Sequence, residues 1–156
     1  MAVHLLLFSH AHSPPLSPTP ALKLDLRRVT NPPKHIRDAC DGRSKRLREH
    51  LLHQDVFVNL LGTAEADIRA EMEKRIASAS DNPTMEISLT VGCYCERGRH
   101  RSVAFVEELG RKPWPKEWVV ETVHRDVEVQ MDKHRSQNYK HHRKRKEETF
   151  LEQDFD

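Results

Sequence analysis

The run from Leu89 to Val103, LTVGCYCERGRHRSV, constrains this chain more than any other stretch. Ile87, Leu89 and Val91 alternate with polar residues, the period of a half-buried strand. A cationic, glycine-bearing turn follows, and Arg101 to Lys112 reads as a helix. Val103, Val106 and Leu109 recur every third residue with Phe105 beside them, and Gly110 is the candidate C-cap. A strand delivered through a tight turn into a helix brings unpaired backbone N–H groups and the positive helix end to one point, which favours an anion. Arg97, Arg99, His100 and Arg101 add side-chain donors suited to phosphate oxygens. The turn from Arg97 through Gly98 to Ser102 is therefore the primary candidate for ligand binding.

The rest of the chain supplies elements that can surround such a unit. Val3 to Phe8 reads as a buried strand, and Ser9 to Pro20 as a loop, because it holds two His and four Pro. Leu22 to Val29 alternates as a second strand and is closed by Asn31-Pro32-Pro33. Lys34 to Leu52 has helical character that Gly42 weakens or divides. Val56 to Leu61 fits strand and helix equally. Ile68, Met72 and Ile76 recur at four-residue spacing and predict a helix over Ala64 to Ala77, with Thr63 as its cap. Trp118 to Val123 is a last strand. Helices between strands point to a single small α/β domain over residues 1–129, with a mostly parallel sheet flanked by helices. Residues 130–156 form a charged tail, helical or disordered.

Composition narrows the functional classes. A formal net charge of +2 excludes a uniformly basic surface, so any nucleic-acid affinity must come from local clusters. The apolar run Leu5 to Phe8 is too short to span a membrane and has no Lys or Arg before it, so neither a membrane span nor a signal peptide is expected. Cys40, Cys93 and Cys95 do not form a secreted disulfide framework. An intracellular site, cytoplasmic or nuclear, follows as the expectation.

Several other residue sets carry chemistry. Cys95 to Ser102 also fits the Cys-x5-Arg-Ser spacing of thiolate phosphatases, with Cys95 as nucleophile and Arg101 as the phosphate clamp. Tyr94 stands where such enzymes carry a His, and no general-acid Asp can be placed, so plain anion binding is preferred. His10-x-His12 and Cys93-x-Cys95 hold metal-ligand residue types in spacings that match no standard zinc pattern, and neither metal nor cofactor is expected. Arg27, Arg28, Asn31, Lys34 and Arg37 form a second cationic cluster. His124-Arg125-Asp126 follows a strand and offers a third edge to a site. In the tail, Lys133, Arg135, Lys140, Arg143, Lys144, Arg145 and Lys146 occur without an intervening acid, a pattern suited to a nucleic-acid backbone, a localisation signal or a solvated tail. Tyr139 is the only aromatic among them, so base stacking there has little support.

Three of these blocks, in order and spacing, resemble the C-terminal domain of the RapZ family, also called RapZ-like P-loop ATPases. Leu24-Asp25-Leu26-Arg27-Arg28-Val29-Thr30-Asn31-Pro32 is similar to the family's FDVRFLPNP, Gly98 to Val103 lies within its GCTGGxHRSV, and His124-Arg125-Asp126-Val127-Glu128 is similar to its HR-x-L-E. Phe8 to Ser13 is a weaker echo of FGFKHG, with His12 matching its His. The resemblance implies an α/β domain akin to the sugar-phosphate-binding part of phosphofructokinase. In the bacterial family it senses an amino-sugar phosphate and binds small regulatory RNA, without chemistry of its own. His100 and Arg101 match ligand-contacting positions of the family, and His12, Arg27, Asn31, His124 and Arg125 are candidates to join the turn residues in contacting a phosphorylated small molecule, with RNA as a second candidate partner. Tyr94, Glu96 and Arg97 stand where the family has Gly, Thr and Gly, and Ser13 replaces a loop Gly. These departures favour a phosphate or phosphodiester over the specific sugar. The Gly-x-x-x-x-Gly-Lys-Ser/Thr motif of the family's nucleotide-binding domain does not occur, so ATP binding is not expected.

Overall fold

A computed structural model describes residues 1–128. Four strands, β1 (Ala2–Ala11), β2 (Leu22–Asp25), β3 (Glu86–Cys95) and β4 (Trp118–His124), form one sheet in the order β2-β3-β1-β4, with every pair parallel. Four helices, α1 (Lys34–Ala39), α2 (Lys45–Leu52), α3 (Asp55–Ser78) and α4 (Arg101–Gly110), connect them. Strand alternation separates two faces. Val3, Leu5 and Leu7 of β1 and Ile87, Leu89 and Val91 of β3 are buried towards the helices. The opposite face carries His4, Leu6 and Phe8, flanked by the exposed Val119 and Val123. α4 lies over β1, β3 and β4, while α2 and α3 pack against α4. Phe105 of α4 meets Phe57 of α3 edge to face at 5.6 Å, a favoured aromatic geometry at the centre of the core.

Gly42 divides the Lys34–Leu52 segment into α1 and α2. Its backbone comes so close to α4 that an added Cβ would lie 2.3 Å from the Ala104 nitrogen and 2.4 Å from the His100 oxygen. Val56 to Leu61 is helical. Phe57, Leu61, Ala64, Ile68 and Met72 form one buried stripe, so a single helix begins at Asp55 and Thr63 lies inside it. Its true cap residue, Gln54, exchanges two hydrogen bonds with the Thr30 backbone, at 3.1 and 2.8 Å, and ties α3 to the loop after β2.

Other boundaries differ from expectation for identifiable reasons. β1 runs on through Ser9, His10 and Ala11 because the long β3 supplies Cys93, Tyr94 and Cys95 as ladder partners. β2 ends at Asp25 rather than Val29, because the Asp25 carboxylate accepts the Arg27 N–H and starts a turn. Gly110 is the last helical residue of α4, and Arg111 is the cap. Among the described residues, no helix is long and apolar enough to cross a membrane. The basic segment from Lys133 to Lys146, with the nucleic-acid expectation placed on it, lies outside the described residues.

Gly98 has φ 67°, and an added Cβ would stand 2.4 Å from the Ala11 nitrogen and 2.6 Å from the His10 carbonyl carbon. Both neighbours are backbone of the central strand and cannot rotate away. Gly98→Ala is expected to lower stability by about 2–4 kcal/mol, from left-handed strain plus overpacking. Chemical denaturation of the two proteins measures it, and an unchanged midpoint would contradict this account of the turn.

Candidate functional site

β3 ends at Cys95, five residues turn, and α4 starts at Arg101. The turn is held from three sides. The His12 N–H donates to the Cys95 carbonyl at 2.8 Å, Gly98 rests on the Ala11 backbone, and the Gly42 N–H donates to the Arg99 carbonyl at 3.0 Å. The cap residue His100 makes no side-chain cap bond, and the first turn of α4 holds no acid. The helix therefore presents its first N–H groups and its positive end without a side-chain acceptor from the cap.

Guanidinium groups crowd this end. Arg101 is 8% exposed and donates from its Nη1 amino group to the Arg27 and Val29 carbonyls, each at 2.9 Å, which pins the segment after β2 to α4. Its Nε is buried without a hydrogen-bond partner, and so are the Nε atoms of Arg37 and Arg99. Three buried donors without acceptors are a costly set unless an acceptor arrives. His100 behaves differently from the cationic donor the sequence suggests. Its Nε2 lies 3.1 Å from the Arg37 carbonyl, and a proton there is donated to that oxygen. Burial pushes the imidazole pKa down to about 4, and the Arg99 and Arg37 charges push it the same way. His100 is thus a neutral positioning residue that joins α1 to the turn. Asp41 accepts the Arg43 N–H and guanidinium, and despite its burial these bonds hold its carboxyl below the usual range. It stays ionised close to Arg99, one of its favourable charge partners.

The remaining candidates fall in different places. Arg97 is exposed at the turn beside the exposed Glu96, and Asn31 is exposed in the loop after β2. Ser102 is fully buried and accepts the Cys95 thiol proton at 3.2 Å. Cys95 is itself 3% exposed, and the Arg101 guanidinium that a phosphatase would aim at phosphate spends one arm on two carbonyls. Arg27 is engaged with Asp25 at 2.8 Å and stands 5.6 Å from the Tyr94 ring centre. His12 lies 5.6 Å from Tyr94, with His10 on the same ring. His10 pairs in register with Tyr94 and Cys93 with Ser9, so the pleat sends the imidazole of His10 and the thiol of Cys93 to opposite faces. Among the described residues, no group of three or more His, Cys, Asp or Glu is arranged to hold a metal ion.

The side-chain hydrogen bonds of His124 and Arg125 go to residues outside the turn. His124 bridges Ser9 Oγ at 2.6 Å and Glu107 at 2.8 Å, linking β1, β4 and α4. Burial works against the Glu107 charge, but bonds from His124 and Arg111 outweigh it and hold the carboxyl low. Arg125 donates to the Pro14 carbonyl at 2.7 Å and to Asp126, whose carboxylate accepts the Ala11 N–H. This pair fastens the loop after β1. The sequence placed Arg37 only in a loose cationic cluster and marked the break at Gly42 without linking the Asp41–Gly42 turn to the head of α4. The helix-breaking Asp-Gly pair was the available signal.

The His100 environment has a consequence for stability. Its folded pKa, about 4, is below the ordinary 6.5, so the unfolded chain binds more protons between those values. The stabilisation is full above about pH 6.5 and disappears as pH falls towards 4. Allowing for partial exposure, the loss is on the order of 2 kcal/mol. Melting temperatures across this window should fall less steeply for His100→Gln than for the parent, and parallel curves would contradict the assignment.

Comparison with known proteins agrees with this architecture. No curated protein matches the chain. The family described as RapZ C-terminal domain matches residues 1–128, the whole of the described structure. By that match, together with the turn of Gly98 to Val103 at the head of α4, the chain belongs to the RapZ C-terminal domain family.

Proposed function

We propose that this chain is a non-catalytic module that recognises the phosphoryl group of a small ligand at the turn between β3 and α4. The observation that carries this reading is the set of three buried Nε donors, on Arg37, Arg99 and Arg101, left without partners around an uncapped helix start. A phosphate at the helix start would accept from the free N–H groups there, and the charge of these guanidinium groups adds to its attraction. Arg97, exposed at the rim, adds attraction from solvent. Glu96 beside it repels a second negative group, which favours a ligand whose charge is concentrated in one phosphoryl group.

RNA is a second partner in this proposal, gripped electrostatically by the basic segment from Lys133 to Lys146. The contact between the Cys95 thiol and Ser102 supports one alternative, a thiolate phosphatase. Cys95→Ser separates the two, since it spares ligand binding in a module and abolishes turnover in an enzyme.

The test is a thermal-shift titration of the whole chain with inorganic phosphate, sugar phosphates and short RNA, with Arg99→Gln alongside. A phosphorylated ligand should raise the parent's melting temperature, and Arg99→Gln should weaken that ligand by about 1.5–3 kcal/mol. Equal affinity in parent and variant would rule out the turn as the site. For RNA, removing residues 133–156 should lower affinity and flatten its salt dependence, and unaltered binding would exclude the basic segment.

A further inference from the structure

The sheet of this domain has an edge that its own strands leave open. β3 pairs with β1 along its whole length, but β2 covers only Val91 to Tyr94 on the other side. Just beyond that stretch, the Ala21 N–H donates to the Thr90 carbonyl at 3.0 Å. Before Ala21 the chain leaves the ladder. Pro20 sits over Gly92, where an added Cβ would meet its ring at 2.8 Å, and the loop encloses a cavity with His10, Lys23 and Tyr94 on the sheet face away from the helices. Glu86 to Leu89 are therefore without a strand neighbour on this side among the described residues. Even-numbered residues turn their peptide groups to it. The Thr90 and Tyr94 carbonyls accept from the Ala21 and Leu26 N–H groups there, and the Ser88 carbonyl accepts from Arg75 at 2.8 Å. By the same alternation the N–H groups of Glu86 and Ser88 and the Glu86 carbonyl face outwards, and no described residue bonds them.

A groove of about 480 Å³ lies beside this edge, with the last turns of α3 as its other wall. Met85, 48% exposed, and the buried Ala79 and Ile87 supply its apolar part. On the wall Arg75 also holds Glu71 at 3.0 Å, so that pair is internally neutral. Glu86 is exposed at the start of β3 and makes no ion pair or side-chain hydrogen bond among the described residues, and the same is true of Lys74 on the wall. Repeating N–H and C=O groups at strand spacing are matched by another extended backbone, and the apolar groove by one side of its pleat. Residues on the opposite side of that pleat would stand next to Glu86, where a basic side chain is the complementary charge. Pairing with the same edge of a second copy would instead bring Glu86 towards Glu86, like charge to like.

We infer that this edge takes up an extended segment of a partner protein as an added strand, with alternate residues apolar towards α3 and basic beside Glu86. The Ser88 carbonyl has a second lone pair, so Arg75 need not leave it. Lys74, across the groove, offers a further donor to a backbone carbonyl of the segment. The surface shares no residue with the turn between β3 and α4 and does not depend on a ligand there.

A short capped peptide of alternating valine and lysine, titrated calorimetrically into the full chain, tests this. It should bind, and replacing its lysines with glutamates should weaken it by about two- to fivefold, the scale of one cross-strand charge pair. Glu86→Lys, at an exposed position that does not threaten folding, should reverse that preference. N-methylation of alternate peptide nitrogens should abolish binding in one of its two patterns and spare it in the other, because only one edge of the added strand meets β3. Arg99→Gln should change none of these. No binding of the valine–lysine peptide, equal loss with both methylation patterns, or a charge preference indifferent to Glu86→Lys would overturn the proposal. The Ser88 amide should exchange rapidly in the free chain and slowly with the peptide bound. Slow exchange in the free chain at every concentration would assign the edge to residues beyond Glu128, and protection that grows with concentration would assign it to a second copy. Either result overturns the proposal.

Discussion

The parallel pairing of β1 with β3 on one side and β4 on the other sets the terms for everything else in this domain. With β1 in the middle, the chain leaving β3 must cross over it to reach β4, and α4 is that crossing. The crossing has no room to spare at its start. Gly98 touches the backbone of His10 and Ala11, and on its other flank α4 is touched by Gly42. Backbone meets backbone at both places, so the position of the α4 N-terminus is set by main chain rather than by adjustable side chains. A helix end fixed in this way holds its first N–H groups in one place whatever the neighbouring side chains do.

Sequence periodicity made the centre of the fold legible and left its edges obscure. Ile87, Leu89 and Val91, followed by a glycine-bearing turn and the apolar repeat of α4, were readable because one buried face imposes one period. Val56 to Leu61 was ambiguous because its stripe makes sense only when continued through Ile68 and Met72. The final residues of β1 looked like loop because His10 and His12 lie close to prolines, and only the ladder partners on β3 make that stretch a strand. The turn at Gly98 was identified, but the roles of its neighbours were not. No spacing rule shows that His100 faces a carbonyl of α1, or that His124 lies between Ser9 and Glu107, since those contacts join residues far apart in the chain.

Arginine serves two purposes at the head of α4, and its geometry allows both. A guanidinium offers five N–H donors in a rigid plane. Arg101 uses one arm to hold the carbonyls of Arg27 and Val29, which fixes the segment after β2, and its Nε is still unspent. A lysine ammonium could meet the two carbonyls from its one nitrogen, but it has no second donor nitrogen set back along the side chain as Nε is. Removing Arg101 would therefore disturb the fold as well as the binding proposed for the turn. Arg99 is the cleaner probe of the proposed site, because among the described residues its guanidinium makes no hydrogen bond to the protein, and its backbone carbonyl, which any residue supplies, is what meets Gly42.

The strand pleat sends neighbouring residues of β3 to opposite faces of the sheet. At the end of β3, Cys95 and Ser102 lie under the turn on the helix side, whereas Tyr94, one residue earlier, faces the loop cavity with His10 and Lys23. Adjacent residues therefore have different surroundings, and a change in one side chain can alter the loop cavity without touching the arginines behind it. The backbone is nevertheless shared. Ala11 carries the turn through its contact with Gly98, pairs with Cys95, and gives its N–H to Asp126, which in turn holds Arg125 against the loop. A shift in the Ala11 backbone would move the floor of the turn and the anchor of the loop together. Independence of side chains on a common main chain is the physical arrangement that lets a family keep its fold while individual members change what they bind.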